Sequence, residues 1–173
     1  MKLARFHPGA IEALRTFPEE VRRAVGKAIY DLQSGHTLSM PLSRPMPMLS
    51  RGAAELPGCR ARAREEATEG DAAMRKKPKV VTVRNAGELA EALGLERADG
   101  IELAVRSALN TKIIEVVQRR GLTHAAVAAL AHTSRTRVTA IMSRNTKDVS
   151  TDLLLRVLGA LGVTAKVTFG RAA

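Results

Sequence analysis

Residues 122–143 read LTHAAVAALAHTSRTRVTAIMS, and this stretch predicts two short helices joined by a tight turn. Thr123 precedes the first helix and Ser134 precedes the second, and both residue types cap helix N-termini by accepting a backbone hydrogen bond. The His-Thr dipeptide at 132–133 is left between the helices as the turn. The pattern is that of two helices that cross at a steep angle.

Small and branched residues line the faces that the two helices would share. Val127 and Leu130 lie at helical spacing in the first helix and are predicted to point inward. Ala128, Ala131 and Val138 are compact side chains that allow the two helices to approach closely. These residues predict a locked pair in which the opposite face of the second helix stays exposed.

The charge around this pair has one sign. No Asp or Glu lies between Val116 and Lys147, whereas the cations from there to Lys147 are Arg119, Arg120, Arg135, Arg137, Arg144 and Lys147. Arg119 and Arg120 also suit the C-terminal end of a preceding helix, where the helix dipole favours cations. A positive field around two capped helices indicates a polyanionic partner, and the major groove of duplex DNA accepts a helix.

The overall composition agrees with this interpretation. The chain has 173 residues, a net charge of +11 and 45% apolar residues, which together predict globular structure and a polyanionic partner. No run of eighteen apolar residues occurs, which excludes a membrane-spanning helix. With no Trp, one Tyr and three Phe, the chain lacks the aromatic platforms of single-strand binders. One Cys and four His stand at unrelated spacings, so neither a disulfide nor a metal site nor a cofactor is predicted.

Further elements are predicted on both sides of the helix pair. The run KVVTV at 79–83 predicts a short strand, and Asn85 is an N-cap for a small helix that ends near Gly94. A longer helix is expected from Gly100 to Arg120, with an inward stripe made of Ile101, Val105, Leu109, Ile113 and Val116. Ser150 caps a last helix that ends at Gly162, and TAKVTF at 164–169 alternates like a terminal strand.

The first half of the chain has a different character. LARF at 3–6 predicts a short strand, Ile11 and Leu14 predict a helical turn, and residues 18–35 predict a helix with Pro and two Glu in its first turn. AAEL at 53–56 is a possible short strand. The charges of both signs after residue 58 lack apolar periodicity. The predicted organisation is therefore a first region at 1–58, a charged linker at 59–78 and a second region at 79–173.

The candidate DNA contacts follow from the second helix. Its N-terminal end must offer short polar and long basic side chains, and Ser134, Arg135, Thr136, Arg137 and Thr139 meet that requirement. Thr123 and His124 would lie near a phosphate at the start of the preceding helix, and Arg144, Asn145 and Lys147 would contact the DNA backbone from the following loop. The alternative is a solvated basic face on an ordinary helical bundle.

Residues 109–162 and the trailing AKVTF carry a resemblance. Through these stretches, residues from about Met74 to Phe169 look like antitoxins of the HigA type within the xenobiotic-response-element (Cro/C1-type) helix-turn-helix family. That resemblance implies a five-helix DNA-binding domain, a homodimer on a palindromic operator and repression of its own operon. The two half-sites would be about 34 Å apart, one turn of the DNA helix.

Residues 12–56 resemble the N-terminal part of HigB-type toxins of the RelE superfamily, which are small ribonucleases. The resemblance implies an α+β fragment with a short strand and two helices. Toxins of this kind carry basic and Tyr residues on later strands, whereas no Tyr follows Tyr30 here. His7 and His36 are the remaining acid–base candidates and lie far from any compact set. No catalytic residue and no enzyme activity are therefore predicted.

The combined prediction is a mainly α fold in which an α+β toxin-like fragment is linked to a five-helix helix-turn-helix domain with short flanking strands. The predicted function is sequence-specific repression, with double-stranded DNA and a HigB-like toxin as partners, in the cytoplasm on the nucleoid. Two alternatives stay open. One is a self-inhibited fusion that cleaves messenger RNA, and the other is a toxin-neutralising module without specific DNA binding.

Overall fold

The structure is a computed structural model that describes residues 2–38, 44–45, 54–55 and 80–168. In these ranges the elements are β1 (Ala4–Phe6), α1 (Pro8–Arg15), α2 (Glu19–Gln33), β2 (Arg44–Pro45), β3 (Ala54–Glu55), β4 (Val81–Val83), α3 (Ala86–Ala92), α4 (Arg97–Arg119), α5 (His124–Leu130), α6 (Arg135–Met142) and α7 (Thr151–Ala160). The prediction of a mainly helical chain is confirmed. Five helices, α3 to α7, follow β4, as predicted for the second half.

Two compact units divide the chain, Met1–Ser107 and Ala108–Ala173, and the division falls inside α4. The predicted linker at 59–78 lies outside the described residues. Residues 80–107 belong to the first of these units. Each unit has a core of its own.

Strand pairing in the first unit joins distant parts of the sequence. β1 pairs with β4 in antiparallel register, with Ala4 opposite Val83 and Phe6 opposite Val81. A second antiparallel pair joins β2 to β3. The strands predicted from LARF, AAEL and KVVTV are therefore all present.

Capping explains where the helices of the first unit begin. Pro8 stands in the first turn of α1, and Glu19 and Glu20 stand in the first turn of α2. Asn85 caps α3: its side-chain oxygen accepts from the Glu88 backbone N–H at 2.8 Å. The Glu88 carboxylate accepts from the Arg84 backbone N–H at 2.7 Å, so the two side chains cap the helix reciprocally.

The core of the first unit draws on both of its segments. Its buried residues are Ile11, Val83, Leu89, Ala90, Ala92, Leu93 and Leu95, with Ala4, Phe6, Leu14, Ile29 and Tyr30 packed against them. Tyr30 thus packs against the core of the first unit. Leu32 is exposed, whereas the polar residues Asp31 and Gln33, which precede and follow it in α2, are buried.

The second unit packs the end of α4 with α5, α6 and α7 around one apolar cluster. Its buried residues are Ile113, Val116, Val117, Val127, Ala128, Ala131, Val138, Ile141, Val149, Leu153, Leu154, Val157, Leu158 and Leu161. The predicted cap Ser150 accepts from the Leu153 backbone N–H at 3.2 Å. α7 therefore begins at the predicted position and contributes a continuous apolar face.

The predicted inward stripe of α4 is correct in its second half and wrong in its first. Ile113 and Val116 are fully buried, whereas Ile101 is 65% exposed and Val105 is 45% exposed. Before Ile113, α4 buries Leu103, Ser107 and Asn110 instead. Two of these three are polar, so a search for apolar residues at helical spacing selects the wrong face.

Two further expectations are corrected. Leu130 is 52% exposed at the end of α5, because the helix packs through Val127 and Ala128. The terminal strand predicted at 164–169 is absent from residues 164–168, which are described and form no strand. All five are exposed, and β4 is paired with β1.

Gly100 provides a test of the packing in the first unit. A Cβ atom there would lie 2.8 Å from the Ala86 carbonyl oxygen and 3.1 Å from the Gly87 Cα atom, and both are backbone atoms. Gly100→Ala should therefore destabilise the first unit by about 1–3 kcal/mol, measured by urea unfolding and circular dichroism.

Gly159→Ala is the matched control. A Cβ atom at Gly159 in α7 meets nothing within 4 Å outside its own helix backbone. This change should leave stability unchanged or raise it by about 0.5–1 kcal/mol through helix propensity. Equal stability of Gly100→Ala and the unaltered protein would contradict the close approach of α4 to α3.

Candidate nucleic-acid interface

The α5–α6 pair is held together by the small residues that the sequence singles out. Ala128, Ala131 and Val138 are all buried in the core of the second unit. Ile141 of α6 is buried with them at 0% exposure. One face of α6 is thus fixed against α5 and the core, which leaves its other face for solvent or a partner.

The turn between the helices has an unusual backbone. His132 adopts a φ of 48°, in the left-handed region that non-glycine residues rarely occupy. The Thr133 backbone N–H donates to the Ala128 carbonyl at 2.9 Å, which closes the end of α5. His132 is therefore a turn residue, as predicted.

Side-chain caps begin both helices. The Thr123 hydroxyl accepts from the Ala126 backbone N–H at 3.2 Å, and the Ser134 hydroxyl accepts from the Arg137 backbone N–H at 3.3 Å. Each predicted cap is confirmed. Because Ser134 is bonded to the backbone, the side chains that follow it leave the helix in defined directions.

Five neighbouring side chains form the solvent face of α6, which we call the α6 face: Ser134, Arg135, Thr136, Arg137 and Thr139. All five are exposed. Within the described part of the chain, neither Arg135 nor Arg137 makes an ion pair or a side-chain hydrogen bond. Their guanidinium groups therefore keep all their donors for a partner.

His124 connects the start of α5 to the α6 face. Its Nδ1 atom lies 3.1 Å from the Thr139 hydroxyl, and the ring is half-buried. The structure thus brings His124 together with Thr139, a contact that links the predicted phosphate-contacting group to the predicted base-contacting group.

The loop after α6 places its predicted residues differently. The Arg144 guanidinium donates to the Thr111 hydroxyl of α4 at 3.2 Å, and its backbone has a φ of 61°. Asn145 is half-buried and Lys147 is exposed. The loop is therefore anchored to α4 through Arg144, with Lys147 at its outer surface.

Asn110 is a positioning residue that the sequence did not suggest. It is fully buried, and its side-chain N–H donates to the Ile141 carbonyl at 2.8 Å, near the C-terminal end of α6. The available signal was a polar residue three positions before the buried Ile113, on one face of a helix. This bond fixes the C-terminal end of α6 as Ser134 fixes its beginning.

Two arginines at the C-terminal end of α4, Arg119 and the next residue Arg120, have partners within the second unit. Arg120 donates to the Leu161 carbonyl at 2.8 Å, and Arg119 lies 3.8 Å from the Glu115 carboxylate. The Leu161 carbonyl lies at the C-terminal end of α7, where a cation interacts favourably with the helix dipole. Arg120 is therefore bonded to the end of α7, whereas Arg135 and Arg137 on the α6 face have no such side-chain partner among the described residues.

Residues 89–170 match the family model of a helix-turn-helix domain. The match contains α5, the turn and α6, and it confirms the predicted helix-turn-helix. Such a domain is typical of DNA-binding regulators. No curated protein and no solved structure matches the chain significantly. Among the described residues, no helix is both long and apolar enough to cross a membrane.

Two substitutions of Ser134 change the stability of the helix-turn-helix domain and the charge of the α6 face independently. Ser134→Ala removes the N-cap of α6 and should lower stability by about 0.5–2 kcal/mol in urea unfolding. Ser134→Asp keeps a capping oxygen and should preserve stability, while it places a negative charge on the α6 face. Ser134→Asp should therefore weaken binding to duplex DNA more than Ser134→Ala does. The reverse order would contradict the assignment of this face as the DNA-contacting one.

Proposed function

We propose that the chain is a transcriptional repressor of antitoxin type that binds duplex DNA sequence-specifically through α6. One observation carries the proposal: Arg135 and Arg137 are exposed without internal partners at the N-terminal end of a helix whose opposite face is buried. In the helix-turn-helix geometry this end of the second helix reaches the base edges of the major groove.

The chemistry of the α6 face suits base recognition. A guanidinium can donate to both acceptors of guanine at once, which discriminates against a wrong base by about 1–3 kcal/mol. Thr136 and Thr139 offer a methyl group for thymine and a hydroxyl for a base or a phosphate. The cap at Ser134 and the Asn110 bond hold the helix at both ends, so these groups need little reordering on binding.

Backbone contacts would come from the neighbouring elements. The Thr123 and His124 side chains lie at the start of α5, next to the α6 face through the His124–Thr139 contact. Asn145 and Lys147 lie in the loop that Arg144 ties to α4. These groups would position the domain on the DNA without reading its sequence.

We further propose that the protein binds as a homodimer to the palindromic operator of its own operon, with half-sites about 34 Å apart. This proposal rests on the resemblance of residues 109–162 to HigA-type antitoxins and on the net charge of +11. A repressor of this kind acts in the cytoplasm, on the nucleoid, and a HigB-like toxin would be its protein partner.

Arg137→Ala tests base recognition. The variant should weaken binding to the operator-containing upstream DNA about tenfold in a mobility-shift assay, and it should relax the preference at one base position. Arg156→Ala is the matched control, because Arg156 lies on α7 and pairs with Asp152 at 3.3 Å. It should bind the operator like the unaltered protein.

The salt dependence of binding gives an independent measure. If six cations per subunit contact phosphates, the log–log slope of the binding constant against salt should be roughly −5 per subunit. Binding that shows no preference for the upstream DNA over random duplex at moderate salt would refute sequence-specific repression.

The N-terminal segment is proposed to be catalytically inactive. His7 directly precedes α1 and His36 follows α2, so the two histidines stand at the ends of different helices. Expression of residues 1–107, the first compact unit, should therefore leave bacterial growth unchanged. Growth arrest on expression would instead favour the self-inhibited ribonuclease, and co-purification of a small basic toxin would support the neutralising role.

A further inference from the structure

The first unit is assembled from two segments that are far apart in sequence, residues 2–38 and 80–107. β1 has three residues and its pairing partner is β4, so the first segment completes its sheet only with the second. A two-stranded ribbon of this length is unstable without a packed face. The two segments therefore depend on each other for their folded state.

Apolar burial joins the same two segments. Ile11 of α1 is 5% exposed, and it belongs to one cluster with Val83, Leu89 and Leu93, which are 1% exposed or less. Phe6 and Ile29 pack against that cluster. Residues 80–107 thus present an apolar surface that the strand and two helices of residues 2–38 cover.

Polar contacts give this surface specificity. The Arg15 Nε–H donates to the Ala92 carbonyl at 2.9 Å, and Arg22 donates to the Leu93 carbonyl at 3.0 Å and to the Gly94 carbonyl. These carbonyls lie at the C-terminal end of α3, where the helix dipole attracts cations. Two arginines therefore recognise one helix end.

Two further polar contacts join residues 2–38 to residues 80–107. The Arg23 guanidinium pairs with the Asp99 carboxylate at 2.8 Å, and the Gln33 side chain donates to the Val83 carbonyl at 2.9 Å. Asp99 and Val83 are both buried. Loss of either donor would leave a buried acceptor without its partner, which disfavours a mismatched occupant.

We infer that β4, α3 and the start of α4 form a docking surface for a strand–helix–helix unit, and that residues 2–38 occupy this surface within the same chain. The partner in trans is a small protein that begins with such a unit and carries arginines at the positions of Arg15 and Arg22. This inference rests on the proposed antitoxin function for the identity of that partner. The docking itself is independent of DNA binding.

Occupation within one chain has a quantitative consequence. A tethered segment acts at an effective concentration in the millimolar range, so it outcompetes a free partner of equal affinity at cellular concentrations. The intact chain should therefore capture such a partner poorly. Cutting the chain between the two segments removes this advantage.

The test uses the full chain with a protease recognition sequence in place of residues 64–70. After cleavage, the two pieces should stay associated at micromolar concentration in size-exclusion chromatography. The cut protein is then mixed with a second cut preparation whose N-terminal piece carries an affinity tag, unfolded in urea and refolded. The first preparation is labelled with 15N, so that its C-terminal pieces differ in mass from those of the second. Capture of the tag should recover these labelled C-terminal pieces.

The uncut chain serves as the reference. Uncut protein refolded with the tagged cut preparation should contribute far less to the captured material, about tenfold less or lower. Separation of the two pieces after cleavage, or refolding without redistribution, would overturn the docking surface. Equal capture of cut and uncut chains would overturn the occupation by residues 2–38.

Arg22→Ala tests the polar recognition in the cut protein. It should raise the dissociation constant of the two pieces about tenfold, because a charged hydrogen bond to the end of α3 is lost. Arg5→Ala is the matched control: Arg5 lies on β1, and its side chain makes no hydrogen bond or ion pair among the described residues. Equal effects of the two variants would contradict recognition of the helix end by arginine.

A mobility-shift assay on the cut protein separates the two hypotheses. Redistribution of the pieces without DNA binding would leave the docking surface standing and refute the proposed repressor. DNA binding without reassociation of the pieces would support the proposed repressor and refute the docking surface.

Discussion

The buried contact between α5 and α6 is the constraint on which the functional surface depends. Ala128 and Ala131 leave little room between the two helices, and Val138 fills what remains. With that face buried, the direction of every side chain on the α6 face is decided by helical geometry. The Asn110 bond to Ile141 adds a polar restraint that a purely apolar contact lacks, since a buried amide tolerates few alternative placements. The exposure of Arg135 and Arg137 follows from this packing.

Local signals in the sequence predict most of the second half, and their failures have physical reasons. Caps at Asn85, Thr123, Ser134 and Ser150 and compact side chains on α5 predict the helices and their order, because these signals act within a few residues. These signals do not predict which side of α4 is buried before Ile113. The buried side carries the polar residues Ser107 and Asn110, while the exposed side carries the apolar Ile101. Apolar periodicity therefore identifies a helix there but not the side that packs.

Pairing across long sequence separation is harder to foresee. KVVTV has the residues of a strand, but nothing nearby specifies that its partner is β1 rather than the end of the chain. The α6 face could be predicted residue by residue, whereas the contacts of Arg15 and Arg22 with the end of α3 could not. Nothing in the neighbouring sequence indicates which backbone carbonyl an arginine side chain will contact. The region boundary predicted after residue 58 rested on composition alone.

The left-handed backbone at His132 bears on how variable this motif is. A glycine there would relieve the steric cost of a positive φ, but it would also enlarge the unfolded ensemble, so the two effects oppose each other. The crossing of α5 and α6 is therefore fixed by their buried apolar contact and not by a preferred backbone conformation of the turn at His132. Residues that tolerate a positive φ, such as Gly or Asn, should therefore preserve the helix crossing at this position, whereas β-branched residues should strain the turn.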